Sequence, residues 1–509
     1  MRFSIFHFQF SNSSFSIRRT SCACLLLLTL ALDNASAAQR YSMSSSDRAF
    51  LEDLSRCAFR YFQEQTDPKT GLVLDRARAD GSPHDEVHRR IASIAATGFG
   101  LTALCIAAAR RWVDPREARE RVRTTLRFFA ERAPREHGWF YHWMNAATGE
   151  REWNSEVSSM DTALLLGGVL TAKQYFRDDA EIDRLATEVY TRVDFQWMQN
   201  GHPSLLSHGW KPESGFLGPM WHDYSEQTIL YLLAIGSTSR PISPRAWWGW
   251  KRDWIRYAGY SYLAGAAPLF IHQYSQAWVD YRGLREKQPP NVDYFENSIK
   301  ATRAHRAFCV DLSKEFPGYS ENVWGITASD SAKGYVAWGG PPRDASIDGT
   351  VVPCAAAGSL MFAPDICLPA LKTMRQKFGE RVYGRYGFVD AFNPNTGWID
   401  QDVIGINVGI TLLSAENLRS GNVWRWFNRN PEIPRAMRLA GLEKMGSPLR
   451  ASLKVRPFPR IRAQLGNPGP PTESRTRETP CWQLSAPRCI LQRPVHRYVS
   501  SDAHMRNEA

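Results

Sequence analysis

Helical periodicity runs through residues 47–418 and alternates between two kinds of helix. Six segments are apolar or small on nearly every side, which is typical of buried helices, and six others carry charged residues on one face, which is typical of surface helices. This alternation predicts an all-α fold, an (α/α)6 toroid in which six inner helices form a barrel inside six outer ones. The predicted inner helices are 91–109, 160–176, 225–236, 269–281, 352–361 and 408–418; the outer ones are 47–65, 116–133, 180–198, 244–260, 292–315 and 363–378.

The links between these helices differ in length at the two ends of such a toroid. Links from an inner to an outer helix are short, whereas several links in the other direction are long: 66–90, 134–155, 199–224, 316–351 and 379–407. All the long links emerge at the end where the inner helices begin, which we call the mouth. Long loops usually carry function, and helix N-termini add free N–H groups and partial positive charge. We therefore expect the functional site at the mouth.

The long links are rich in aromatic side chains outside the helical core pattern. Flat apolar rings suit the C–H faces of sugars, and exposed aromatic clusters are costly without a use. This distribution favours a carbohydrate ligand, although the same rings would also serve to cap a helical barrel. The rings predicted to bind substrate are those of Trp210, Trp221, Trp324 and Trp338.

Acidic residues also concentrate at the mouth. Glycoside hydrolysis needs two carboxyl groups, one to protonate the leaving oxygen and one to act as base or nucleophile. We predict catalytic roles for Glu156 and Asp161, beside the second inner helix, and for Glu226, which opens the third. An acid near a helix N-terminus is more often a cap or a dipole partner. Other acids of the mouth are predicted to bind substrate, namely Asp223, Glu321, Asp330 and Asp402.

Motifs of other chemistries do not occur in the sequence. The histidines lack H-E-x-x-H or similar metal spacing, and there is no Walker loop, strand-linked G-x-G-x-x-G or G-x-S-x-G elbow. We therefore expect neither a metal nor a cofactor. A terpenoid-cyclase type of toroid would need an Asp-rich motif in the cavity, but the acidic stretch 178–183 lies at a short link on the opposite end.

The net charge of +12 lies mainly at the two ends of the chain. Residues 1–37 carry +2 and residues 447–509 carry +7, which leaves +3 on residues 38–446. A nearly balanced body argues against nucleic acid as the partner and fits an uncharged carbohydrate better.

The two ends are predicted to lie outside the functional domain at 45–440. In 1–37, Arg18 and Arg19 precede an apolar run too short to span a bilayer comfortably, and Ala-Ser-Ala follows. This pattern predicts a signal peptide, with an uncleaved anchor as the alternative. We expect a periplasmic or secreted protein, a monomer that is free of the membrane after cleavage. Residues 447–509 are rich in Arg and Pro. This composition predicts a disordered tail, or a frameshifted or read-through product.

Five ordered segments resemble the glucoamylase-like family of exported bacterial (α/α)6 proteins, which includes endo-β-1,2-glucanases. They are NSEVSSMDTALLL at 154–166, YSEQTILYLLAIG at 224–236, SENVWGITASD at 320–330, DGTVVP at 348–353 and GWIDQDVIGIN at 397–407. The resemblance covers about residues 45–440 and implies an inverting glycanase that acts on a β-glucan.

The expected function is therefore an exported glycoside hydrolase with a glucan as its partner, and specifically an inverting endo-β-1,2-glucanase. An α-glucan hydrolase of the glucoamylase type and a glucan transglycosylase remain open. So does a non-catalytic glycan-binding protein, which would keep the aromatic residues without needing paired acids. The residues do not choose the linkage, nor endo or exo action.

Overall fold

The computed structural model describes residues 41–445, so the predicted signal peptide and tail lie outside the described residues. Helices dominate this part of the chain, and no helix in it combines the length and apolarity that crossing a bilayer requires. The inner helices are α2 (Ile94–Ala109), α4 (Ser159–Tyr175), α6 (Thr228–Gly236), α7 (Tyr274–Trp278), α9 (Pro353–Ala357) and α11 (Gly405–Ser420). The others are α1 (Ser45–Glu64), α3 (Pro115–Arg127), α5 (Ala180–Thr191), α8 (Tyr294–Asp311), α10 (Pro364–Phe378), α12 (Asn422–Phe427) and α13 (Glu432–Leu439).

The inner helices pack side by side around the axis of the toroid. Every residue of α6 is buried, as are all residues of α2 except the last, because neither helix has a charged side chain to place in water. Helix α2 packs against α4 and α11, α4 against α6, and α6 against α7. Gln273, just before α7, donates from Nε2 to the carbonyl oxygen of Ala355 in α9 at 2.9 Å, and α9 packs against α11. The prediction of an all-α (α/α)6 toroid is confirmed.

One of the predicted outer helices is wrong. Residues 244–260 form a 3₁₀ turn, Pro244–Trp248, and the first strand of an antiparallel hairpin, Trp254–Tyr257 paired with Tyr260–Leu263. The aromatic and β-branched residues of this segment suit a strand, and Ala258 and Gly259 both have the positive φ of a tight hairpin turn (47° and 80°).

Helix α13 from the C-terminal part of the domain covers α6 instead. The two helices meet closely, since a Cβ added at Gly236 would lie 2.7 Å from the carbonyl oxygen of Glu432. Arg435 of α13 also donates from Nη2 to the carbonyl oxygen of Ser237 at 3.0 Å. The outer layer is therefore completed by a helix that the sequence pattern did not predict.

Short strands lead into the inner helices at the mouth. Strand β2 (Ile91–Ser93) runs directly into α2, β6 (Val157–Ser158) into α4 and β14 (Asp402–Ile404) into α11, and Ser93 and Ser158 cap the first two of these helices. The strands are β1 (Arg76–Arg78), β2 (Ile91–Ser93), β3 (Arg135–Glu136), β4 (Trp139–Phe140), β5 (Trp143–Asn145), β6 (Val157–Ser158), β7 (Gly209–Lys211), β8 (Gly215–Phe216), β9 (Trp254–Tyr257), β10 (Tyr260–Leu263), β11 (Leu284–Glu286), β12 (Tyr383–Gly384), β13 (Gly387–Phe388), β14 (Asp402–Ile404) and β15 (Leu442–Lys444).

Pairs of these strands join distant parts of the chain. Strand β1 pairs antiparallel with β14, β2 with β5, and β6 with β7. The backbone hydrogen bonds of these pairs hold the long links in place at the mouth, and they set the positions of the acidic side chains described next.

Candidate active site

Two groups of ionisable side chains, most of them carboxylates, lie where the inner helices begin. We call the first the Glu226 group, which consists of His142, Glu156, Asp161 and Glu226. We call the second the Asp390 group, which consists of Asp330, Asp390, Asp400 and Asp402. Burial, and then charges that include those of Glu226 and Asp390, raise the pKa of the Tyr274 hydroxyl, so a member of each group lies near this buried residue.

In the Glu226 group, His142 bridges two carboxylates. Its Nδ1 lies 3.1 Å from Oε1 of Glu156 and its Nε2 lies 3.5 Å from Oδ1 of Asp161. Burial opposes the positive charge of His142, but Asp161 and Glu156 outweigh it and raise the pKa to about 9. Burial likewise opposes the negative charge of Glu156, and the hydrogen bond and charge of His142 lower its pKa to about 2. At neutral pH His142 is therefore an imidazolium beside an ionised Glu156.

The third acid of this group, Glu226, is protonated more readily. It lies two residues before α6, and Ser225 donates a hydrogen bond from Oγ to its carboxylate. Burial and the nearby charge of Asp161 raise its pKa to about 6, although the bond from Ser225 opposes the shift. Two acids on one side of the mouth thus differ in their affinity for a proton, which is the arrangement that separates a proton donor from an ionised partner.

Two arginines of β1 contact the Asp390 group: Nη1 of Arg78 lies 3.2 Å from Oδ1 of Asp402, and Arg76 lies near two of the carboxylates. Nη1 of Arg76 lies 2.9 Å from Oδ2 of Asp330 and 3.9 Å from Oδ2 of Asp402. Asp390 accepts from the backbone N–H of Asp330 at 2.9 Å and from Nδ2 of Asn407 at 2.7 Å. Because Arg76 lies on β1 and Asp402 on β14, the pairing of these strands creates the ion pair.

The four carboxylates of the Asp390 group outnumber its two arginines, Arg76 and Arg78. Burial and the charge of Asp330 raise the pKa of Asp390 to about 7, and burial and the charge of Asp390 raise that of Asp400 to about 8. Oδ2 of Asp400 is buried without a hydrogen-bond partner among the described residues. These acids therefore exchange protons near neutral pH, and one oxygen is left to accept a hydrogen bond from a bound water or ligand.

The predicted site residues near the Glu226 group divide by accessibility. The Trp221 indole is buried, stacks on His208 at 4.0 Å and donates to Oγ of Ser159 at 2.9 Å. The ring of Trp210 is half-buried. The carboxylate of Asp223 lies 3.6 Å from Nζ of Lys251, which belongs to the segment before the hairpin. All three residues belong to the links around this group, and their binding role stays a prediction.

Three other predicted binding residues lie elsewhere. The indoles of Trp324 and Trp338 are 0% and 2% exposed and belong to the apolar core beneath the link that carries them. In this structure neither ring has a free face for a sugar. Glu321 is 77% exposed at its side chain and pairs with Arg306 of the outer helix α8, away from both carboxylate groups. Asp330 and Asp402, in contrast, belong to the Asp390 group.

The structure brings in further residues that the sequence patterns did not single out. Asp75 accepts from Nε of Arg76 at 3.3 Å, and its charge also acts on His142, so it lies between the two groups. His84 places Nε2 2.9 Å from Oδ2 of Asp402. These residues come from the link 66–90, more than 300 positions from Asp402 along the chain. No local sequence pattern predicts the contact between His84 and Asp402.

Two clusters in the described residues have donor atoms spaced for a metal ion, all within 4.8 Å of one another. They are His84 with Asp85 and His88, and Asp330 with Asp390 and Asp400. In the first cluster Asp85 already bonds Nδ1 of His88 at 2.7 Å. In the second, Arg76 already supplies a positive charge. The spacing alone therefore assigns no metal to either cluster.

The charge of His142 predicts a pH dependence of stability. Its pKa in the folded protein, about 9, exceeds the ordinary value of about 6.5 that an unfolded chain has. Protonation therefore stabilises the fold fully below pH 6.5, and this contribution is lost as the pH rises through 9. We expect the difference in melting temperature between wild type and His142→Gln to shrink between pH 6 and pH 10. An unchanged difference across this range would contradict the assignment.

Comparisons with known proteins agree with this architecture. The family model Glycoamylase, described as "Putative glucoamylase", matches residues 219–431. An exo β-1,2-glucooligosaccharide sophorohydrolase of Parabacteroides distasonis is 26% identical over 459 residues, which is 82% of this chain and 61% of the relative. The chain thus spans less than two thirds of that relative's length.

Two solved structures resemble the protein over nearly the same region. An endo-β-1,2-glucanase from Chitinophaga pinensis has a TM-score of 0.73 and 26% identity, covering 79% of this chain and 99% of its own. A β-1,2-glucanase from Parabacteroides distasonis has a TM-score of 0.70 and 25% identity, covering 79% of this chain and 60% of its own. The fold, the five sequence segments and these relatives together support the assignment of the chain to the glucoamylase-like family.

Proposed function

We propose that this protein is a glycoside hydrolase that cleaves β-1,2-glucan with inversion of configuration, and that Glu226 is its general acid. The observation that carries the proposal is the carboxyl of Glu226, held at the mouth near Asp161 with a pKa raised to about 6, while a second group of buried acids lies at the same mouth. The substrate comes from the relatives, which are named for β-1,2-glucan or its oligosaccharides.

Each of the two carboxylate groups has one task in the reaction. Glu226 gives its proton to the glycosidic oxygen as the bond from that oxygen to the anomeric carbon breaks. Water attacks the anomeric carbon from the opposite face and loses a proton to a carboxylate of the Asp390 group. Asp400 is the first candidate for this base because its Oδ2 has no other hydrogen-bond partner among the described residues. Inversion needs the acid and base about 6.5–9.5 Å apart, with room for the water.

In this scheme Asp161 and Glu156 support Glu226 and transfer no proton themselves. The catalytic roles predicted for them from the sequence stay a prediction. Both are paired with His142, and Asp161 also accepts from Oγ of Ser158 at 2.5 Å at the start of α4. The charge of Asp161 raises the pKa of Glu226. We propose that the charge of Asp161 increases the protonated fraction of Glu226 and that His142 holds Asp161 in place.

Endo action is the mode that we propose. The solved structure from Chitinophaga pinensis supports this mode, since that protein is named an endo-β-1,2-glucanase. We also propose that residues 1–37 direct export, so that the enzyme meets glucan in the periplasm or outside the cell.

Product analysis on several glucans tests the proposal. We expect the protein to release short oligosaccharides from β-1,2-glucan, from early in the reaction and in a range of lengths, and to leave β-1,3- and α-1,4-glucans intact. Sophorose as the sole product would replace endo by exo action. Release of reducing sugar from α-1,4-glucan alone would overturn the substrate, and binding without hydrolysis of every glucan would favour a non-catalytic glycan-binding protein.

A further inference from the structure

We propose that Trp153 is a sugar-binding platform at the rim of the mouth, where it forms a subsite for one glucosyl ring beside both carboxylate groups. The ligand of this subsite, a β-linked glucan, rests on the proposed function. The position of the subsite rests on the geometry of the link 134–155.

The Trp153 side chain is exposed although it is large and apolar. Its residue is 42% exposed, whereas most tryptophans of the described chain are buried or half-buried. Exposing an indole gives up the free energy that its burial would contribute. A single exposed tryptophan is nevertheless ordinary on a protein surface, so exposure alone assigns no role.

The backbone adds an independent observation. Trp153 and Asn154 have φ of 54° and 48°, so two successive residues other than glycine are left-handed. Asn tolerates this conformation, but a bulky residue such as Trp seldom adopts it and pays for it in free energy. The turn persists because hydrogen bonds hold both of its ends: the backbone N–H of Glu152 donates to Trp143 at 3.0 Å, and that of Ser155 donates to Glu152 at 3.0 Å.

The neighbours of the indole hold its ring without covering it. Trp143 meets it edge to face at 5.5 Å and 68°, and His88 meets it edge to face at 6.1 Å and 75°. Neither neighbour is stacked parallel to it. The ring is therefore fixed in orientation by two partners while a large part of its surface stays open to a ligand.

These same neighbours lead to the two carboxylate groups. Trp143 stacks on His142 at 3.9 Å and 17°, and His142 is the residue that bridges Glu156 and Asp161. On the other side, His88 lies 4.6 Å from His84, which bonds to Asp402 at 2.9 Å. Two side chains therefore lie between Trp153 and the nearest carboxylate on each path: Trp143 and His142 on one, His88 and His84 on the other.

Polar groups beside the indole complete a surface suited to a sugar. Glu152 accepts from Nε of Arg90 at 3.2 Å and from Nδ2 of Asn145 at 3.1 Å, and its side chain is 18% exposed. A pyranose has an apolar face of C–H groups and a rim of hydroxyls. An open indole with a carboxylate and a guanidinium beside it offers contacts for both.

Oligosaccharide binding to a slow variant tests the inference. In the Glu226→Gln background we expect Trp153→Ala to weaken the binding of β-1,2-linked gluco-oligosaccharides about 10-fold, measured by calorimetry, and Trp153→Phe to weaken it less. In the otherwise wild-type enzyme, Trp153→Ala should raise KM for β-1,2-glucan by a similar factor and change kcat less than 2-fold. The matched control is Trp112→Ala, a half-buried indole near the end of α2 opposite the mouth; its binding should equal that of the parent.

The outcomes distinguish a failure of the Trp153 platform from a failure of the proposed function. If the parent hydrolyses and binds β-1,2-glucan while Trp153→Ala binds within 2-fold of the parent, the platform is rejected and the proposed function stands. A fall in kcat with unchanged KM would reject it as well, since a platform acts through binding. If the parent neither hydrolyses nor binds any β-linked gluco-oligosaccharide, the proposed function fails and the platform fails with it. Melting temperatures of all variants exclude unfolding as the cause of a loss.

Discussion

Glu226→Gln is expected to lower kcat on β-1,2-glucan by about 10²–10⁴-fold, the range that general acid catalysis supplies. The amide keeps the size of the side chain and an oxygen that accepts from Ser225, but it has no acidic proton for the glycosidic oxygen. Oligosaccharide binding should stay within a few-fold of wild type. The matched control is Glu181→Gln, since Glu181 lies on the outer helix α5 and pairs with Arg127; this variant should keep full activity.

An activated substrate separates proton donation from other roles of Glu226. An aryl glycoside that releases a nitrophenolate needs no proton on its leaving oxygen, so Glu226→Gln should hydrolyse it at a rate near that of wild type. If the variant lost activity on both substrates equally, Glu226 would act by positioning and the proposed role would be wrong. If it kept more than a tenth of kcat on β-1,2-glucan, Glu226 would have no part in the chemistry.

The pH profile gives a second signature of the same residue. Wild type needs Glu226 protonated and the base ionised, and their pKa values are about 6 and, for Asp400, about 8. Below pH 6 the rate rises with pH as the base ionises. Between 6 and 8 the loss of the acid balances the gain of the base, and above 8 the rate falls. In Glu226→Gln on the aryl substrate the rate should rise towards pH 8 with no fall beyond it, because only the base titrates.

The ring of inner helices was predictable because burial is encoded separately in each helix. A segment such as 91–109 has no charged side chain, so it must be buried whatever its neighbours are, and the order of buried and surface helices then gives the toroid. The helix prediction for 244–260 was wrong because Trp247, Trp250 and Trp254 have helical spacing by coincidence. The tight turn at Ala258 and Gly259 was the signal against a helix.

The acids of the site were predictable because they lie in the long links of the mouth or next to an inner helix, whereas their contacts across the mouth were not. Glu226 and Asp161 were found because each lies at the start of such a helix. The ion pair of Arg76 with Asp330 depends on contacts between links more than 250 residues apart, which one sequence does not reveal. The predicted platforms Trp324 and Trp338 are buried because the long link that carries them folds over a core of its own, so aromatic residues in a loop are no measure of exposure.

Gly168→Ala is expected to destabilise the fold by about 3 kcal/mol or more, at the upper end of what overpacking costs. Helices α2 and α4 cross at this glycine, and a Cβ there would lie 2.0 Å from the carbonyl oxygen of Gly98. A Cβ on Gly98 would lie 2.3 Å from the carbonyl oxygen of Leu164. Both obstacles are backbone atoms, so relief requires one whole helix to move.

The control and the functional consequence make this prediction specific. Gly218→Ala lies in a loop with no atom within 4 Å of the added Cβ, and its melting temperature should match that of wild type. Gly168→Ala should melt roughly 3 °C lower or more, since each kcal/mol shifts the midpoint of a domain of this size by about 1 °C. Because α4 carries Asp161 in its first turn, moving α4 away from α2 should also lower kcat under conditions where the variant is folded. Equal melting temperatures for the two variants would show that the close crossing of α2 and α4 does not constrain the mouth.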